Sequence, residues 1–174
     1  MAGKSLVGGL YAFHFGSHMG FGLCTHEVTD GWGPRLGQLM RLFRGVAENV
    51  PEDVPAILSQ PLLTSVFVDL PRMVRAGEAT KLADVPVPPE LAAPPRFRAG
   101  GPAPEHFFLV EGLGESERIL EGSASEADIA GAPDQAVAGF GALERIFRFD
   151  LTPERDFAFF TGAAVLDEER DAIF

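Results

Sequence analysis

Fourteen residues, Asp84 to Phe97 (DVPVPPELAAPPRF), carry five prolines, and this density restricts the backbone more than any other stretch of the chain. Each proline fixes φ and removes a backbone donor, and each residue before a proline is pushed towards extended geometry. A ladder strand or a helix is therefore excluded over most of the segment, which must run as an extended connector. At 174 residues the chain suits one domain, residues 1–174, with strands expected on both sides of the connector. Residues 84–97 are then a rigid strap across a single β-rich core, with residues 162–174 as a tail. A proline-rich ligand for an aromatic groove is the other use of such a segment.

The strand signals support that picture. From Leu10, Tyr11, Phe13 and Phe15 alternate with Ala12 and His14; GSHMG supplies turn glycines, and Phe21, Leu23 and Thr25 resume the alternation. Residues 9–28 read as a β-hairpin. LLTSVFVDL, bounded by Pro61 and Pro71, reads as a central, buried strand. Residues 36–50 fit both a helical stripe (Leu36, Leu39, Met40, Phe43, Val46, Ala47, Val50) and a strand over Leu39–Phe43. PEDVPAILSQP holds a short helix with Pro55 in its first turn.

Beyond the strap, Phe107–Val110 pair with Ile119 and Leu120 across GLGES. Ser123 and Glu126 form a capping-box pattern for a short helix that Gly131 ends. ALERIFRFD, residues 142–150, alternates as a strand, whereas Thr152-Pro153 opens a helix carrying the apolar DFAFF. The predicted fold is mainly β (α+β): antiparallel hairpins in a twisted sheet or partly open barrel, with a few short helices.

Charge and cysteine content narrow the function classes. The formal net charge is −11. Residues 105–134 hold eight acids against Arg118 alone, and residues 150–174 hold seven acids against Arg155 and Arg170. Nucleic acid binding needs Lys/Arg clusters that release counterions, so nucleic acid is not an expected partner. A basic protein is, because opposite potentials accelerate encounter; the same acids also serve solubility. No apolar run reaches membrane-spanning length, and MAGKSLVGGL is too short and glycine-broken for a signal peptide. With the lone Cys24 excluding an intramolecular disulfide, the expectation is a cytoplasmic protein without membrane association.

Chemistry-bearing clusters are few. His14, His18, Cys24 and His26 have metal-ligand side chains, and parity puts His14, Cys24 and His26 on one side of a hairpin if the turn preserves it. Paired ligands at short spacing with a second pair elsewhere are missing, and nothing resembles a nucleophile elbow. A metal- or thiol-dependent enzyme built on His14, Cys24 and His26 is therefore the alternative, and no cofactor is expected. Glu111, Glu115, Glu117 and Glu121 lie among glycines and serine, where nothing splits their pKa values, so they read as a solvated face rather than catalytic acids. GPRLGQLMR and GLGES lack the lysine ending of a phosphate loop.

The order and spacing of GFGLC, SVFVDL, RAGEATKLADVPVPPELAAPPRF, HFFLVEGLGESERI and GALERI resemble immunity family twenty-six of bacterial polymorphic toxin systems, from about Leu10 to Asp156. The match is most specific at Gly77, Val85, Pro86, Pro88, Leu91, Pro94, Pro95 and Phe97. Glu78, Ala79 and Thr80 replace the family's basic-tryptophan-proline turn. The resemblance implies a non-enzymatic cytosolic antidote that binds and neutralises a cognate toxin, often a nuclease. It carries no catalytic set. Glu111, Glu115, Glu117 and Glu121, with Trp32 as an aromatic anchor, are the expected toxin-binding residues; an adaptor module of a larger assembly is a further alternative.

Overall fold

The computed structural model describes residues 5–31, 36–120, 122 and 124–174. Its larger sheet has five antiparallel strands in the order β4-β3-β2-β1-β5. They are β1 (Gly9–Phe15), β2 (His18–Glu27), β3 (Gln38–Ala47), β4 (Leu62–Val68) and β5 (Ala79–Asp84). A smaller antiparallel sheet follows the strap, with β6 (Phe97–Ala99), β7 (Phe108–Glu111) and β8 (Arg118–Ile119) in that order. The architecture is α+β with open sheets, not a closed barrel.

The hairpin forms as its alternation requires, with Gly16 and Ser17 as a two-residue loop and Phe15 paired to His18. Gly16 takes φ +64°, which a side chain would strain. The ambiguous segment after residue 36 is a strand because both its neighbours hydrogen-bond to it: Phe43 pairs with Phe21 on one side and Leu42 with Thr64 on the other. From Leu63 onward LLTSVFV is buried, as expected, but at the edge of the sheet and not at its centre. Its outer rim is covered by residues 137–138, where Phe67 bridges Val137 in parallel and the Ala138 N–H donates to the Phe67 carbonyl at 2.7 Å.

Each face of the large sheet has its own cover. On one, Tyr11, Phe13, Phe15, Met40 and Leu42 pack against Leu70 and Met73 of α1 (Leu70–Arg75) and Leu143 and Phe147 of α3 (Phe140–Arg148). On the other, Leu10, Phe21, Leu23 and Phe43 receive Ile57 from the 3-10 turn Val54–Ser59 and Val85 and Leu91 from the strap. The expected helix around Pro55 is this 3-10 turn.

The strap is pinned by hydrogen bonds as well as by contact. Val85 N–H donates to the Gly8 carbonyl at 2.8 Å, and consecutive carbonyls at Ala92 and Ala93 accept from His26 and Arg41. Phe97 then enters a third cluster with Phe67, Leu39 and Val28, which joins the two sheets.

Residues 142–148 of the segment expected as a strand, 142–150, belong to α3. Phe140, Leu143 and Phe147 at i, i+3, i+7 form a helical stripe that the shorter window from residue 142 hides. Phe140 and Phe147 pack on Phe15 with tilted rings at centroid distances of 5.2 and 5.6 Å, and the helix ends at Phe149. Asp150 then adopts φ 49° and accepts from Arg44 of β3 at 2.8 Å. The helix α4 (Pro153–Thr161) begins as read, the Thr152 hydroxyl accepting from Arg155 N–H. The helix α2 (Glu126–Gly131) is capped reciprocally by Ser125 and Asp128; Ser123 lies outside the described residues. The tail holds the short α5 (Glu168–Asp171) and folds back, Phe174 stacking on His18 at 5.0 Å. Among the described residues no helix is long and apolar enough to cross a membrane.

Candidate functional site

Parity fails for the histidine-cysteine set, and the two-residue loop is the reason. Leu10 pairs with Leu23 and Ala12 with Phe21, so even positions on β1 share a face with odd positions on β2. Cys24 lies with Tyr11, Phe13 and Phe15 beneath α3, on the face opposite His14. His14 instead meets the Thr80 hydroxyl at 2.9 Å. A register shift between Cys24 and His26 turns His26 towards the strap, where Nε2–H donates to the Ala92 carbonyl at 2.9 Å and Nδ1 accepts from the Thr25 hydroxyl at 2.9 Å. Burial pushes the Cys24 thiol up to about 12 and holds His26 below its ordinary value. Among the described residues no group of three or more His, Cys, Asp or Glu is placed to hold a metal ion.

The β7–β8 hairpin carries Glu111, Glu115 and Glu117 of the expected acidic set. Glu111 is bound by Arg118 at 2.5 Å and Arg96 at 3.4 Å; the hydrogen bonds from Arg118 hold its carboxyl below the usual carboxylate range. Glu117 accepts from the Gln135 amide at 2.5 Å. Glu115 is exposed, its backbone N–H donating to Asp30 at 3.3 Å. That bond seats the 113–116 turn on residues 30–31, and Gly114 must be glycine because a Cβ would run into the Asp30 carboxylate. Trp32 and Glu121 lie outside the described residues.

An apolar patch accompanies these acids. Phe97 and Val110 face the large sheet and are fully covered, but Phe108 and Ile119, on the same face of the small sheet by register, run beyond that cover. Phe108 is 37% exposed and Ile119 61% exposed. Exposed Glu105 and Glu115 lie near them along the chain. An exposed β-branched side chain on a short edge strand, in a stretch of sequence rich in carboxylates, has the composition of a contact patch.

Sequence reading missed the two buried arginines. Arg98, on β6, is 2% exposed. Its Nε–H donates to Asp134 at 2.5 Å and an NH2 hydrogen to Asp156 at 2.7 Å. NH1 serves the carbonyls of Ala130 and Pro153 at 3.2 and 3.0 Å, and the guanidinium lies 5.0 Å from the centre of the Phe157 ring. One side chain thus ties the small sheet to α2 and α4. Burial, then the neighbouring Asp134, pushes the Asp156 carboxyl above its ordinary value, with Arg98 pulling the other way. Arg98, Asp134, Arg145 and Asp156 line a cavity of about 210 Å³ between β4 and α3. The second, Arg41 on β3, is 4% exposed and has no carboxylate partner among the described residues. The available signal was an arginine at an inward position of an apolar strand, as in MRLF and PRFRA.

No family model, curated protein or solved structure matches the chain.

Proposed function

We propose that the chain is a non-catalytic inhibitor that binds a basic bacterial toxin domain and neutralises it by direct contact, as its resemblance to immunity family twenty-six implies. The observation that carries this reading is the β7–β8 edge, where exposed Ile119 and Phe108 sit in the most acidic part of the sequence. A few desolvated apolar anchors supply most of the energy in such contacts, and surrounding charges set encounter rate and partner choice. Glu111 is spent on Arg96 and Arg118, so steering falls to the exposed Glu105 and Glu115, with Ile119 as the anchor.

The metal- or thiol-enzyme alternative loses its geometry, because Cys24 and His14 occupy opposite faces of the sheet. Co-expression of the toxin encoded beside this chain tests the proposal. Growth rescue by the wild-type chain, co-purification of the two proteins and loss of both with Ile119→Asp are expected. Failure of the wild-type chain to rescue or co-purify overturns it, and capture of a different, non-toxic assembly favours the adaptor reading.

A further inference from the structure

Buried arginines need acceptors, and this chain supplies them to one and withholds them from the other. Arg98 has two carboxylates, two carbonyls and an aromatic face. Arg41, equally buried, donates once from NH1 to the Ser65 hydroxyl at 2.9 Å and once from NH2 to the Ala93 carbonyl at 2.5 Å. Both acceptors are neutral, and its Nε–H is buried with no partner among the described residues. Neighbouring His26 adds no negative charge: proximity to Arg41 is one of the influences that disfavour its protonation. A cation removed from water without a counter-charge is costly, and the orphan N–H adds its own desolvation penalty.

Arg41 borders open space together with Ser65, the acceptor of its NH1. Arg41 and Ser65 line a cavity of about 270 Å³ that opens beside the strap, with apolar walls from Leu63, Pro95, Pro133 and Pro153. The first turn of α4 borders it, so the positive end of that nine-residue helix adds to the potential there. The exposed Glu154 at the mouth is the one nearby carboxylate on the lining, and it forms no ion pair with Arg41.

We infer that the Arg41 cavity is a binding site for a small carboxylic acid, taken as its monoanion. A carboxylate matches the guanidinium fork in plane and spacing. The walls leave room for a short hydrocarbon body, and the single guanidinium balances one negative charge, whereas the second charge of a phosphate dianion would be left facing the Glu154 carboxylate. This site is independent of the toxin-binding edge, and either can fail without the other.

The test is a titration of the full chain with sodium butyrate, followed by the NMR signal of the Arg41 side-chain Nε–H, with sodium chloride and sodium phosphate at matched ionic strength as controls. A saturable shift with butyrate and none with chloride or phosphate is expected. Glu154→Gln, at an exposed position, tightens butyrate binding about five-fold by removing the repulsion at the mouth. Arg41→Lys weakens it at least ten-fold, and the Glu154 variant carries the test if the lysine variant does not fold. An Arg41 signal that butyrate does not move, a shift that chloride reproduces, saturation by phosphate instead, or a Glu154→Gln constant equal to wild type overturns the inference.

Discussion

Replacing Arg98 with methionine removes a side chain that ties β6 to both α2 and α4, and its consequences can be worked from the contacts. The Ala130 and Pro153 carbonyls lose their donor, and Asp134 and Asp156 lose the cation between them. Removing one partner of a buried pair costs about 3–5 kcal/mol. The two carboxylates here are 48% and 43% exposed, so solvent screens part of the Coulomb energy and the lower end, about 3 kcal/mol, applies. For a domain of this size that is a fall in Tm of roughly 6–12 °C.

The loss must also depend on pH. Asp156 already sits above its ordinary value through burial and Asp134, and Arg98 opposes that shift; without Arg98 it rises further. A folded-state pKa above the unfolded one means that the folded state holds the proton more tightly, so stability is gained as pH falls through it. Urea unfolding of both proteins should therefore show the deficit shrinking as pH falls from neutral towards the ordinary carboxylate range. A deficit below about 1 kcal/mol, within the range of an exposed pair, or one that does not change with pH, refutes the reasoning.

Three other outcomes follow from the geometry. His26 is held neutral by burial, so below about pH 6.5 the unfolded chain takes up a proton that the folded one resists and stability falls; His26→Gln, which keeps a donor for Ala92, should flatten that part of the urea-derived profile, and an unchanged slope contradicts the assignment. Cys24, with its thiol pushed up to about 12 and buried under α3, should react with a thiol reagent at mildly alkaline pH only as fast as the protein opens, and prompt labelling of the native state contradicts its burial. Gly20→Ala would place a methyl 2.5 Å from carbons of the Phe147 ring and should cost about 1–3 kcal/mol in unfolding measurements by prising α3 from the sheet; a neutral effect means that α3 is not seated as described.

The sequence carried local signals well and tertiary ones poorly. Alternation through Tyr11, Phe13 and Phe15, the prolines bounding LLTSVFVDL and the Thr152-Pro153 cap each act within a few residues, and each marked its element. The segment at 142–150 alternated as a strand, and contact of Phe140 and Phe147 with Phe15 decides for a helix that begins before that window. β4 looked central because it is buried, but its cover is the chain at residues 137–138, seventy residues away, which no local pattern announces. The His14/Cys24/His26 set depended on the length of one loop, since a two-residue turn pairs even with odd positions. Arg41 and Arg98 escaped notice because arginine in a strand ordinarily faces solvent, and their partners come from distant segments.

The central claim is that the β7–β8 edge binds a basic toxin domain through Ile119. Titration calorimetry of the purified chain against a toxin domain whose growth inhibition it relieves in co-expression tests this most directly, with wild type and Ile119→Asp compared after both are shown to have the same Tm. The account predicts saturable one-to-one binding that the substitution weakens at least about thirty-fold, the loss of an anchor residue worth 2 kcal/mol. No binding by the wild-type chain, or equal binding by both, contradicts it.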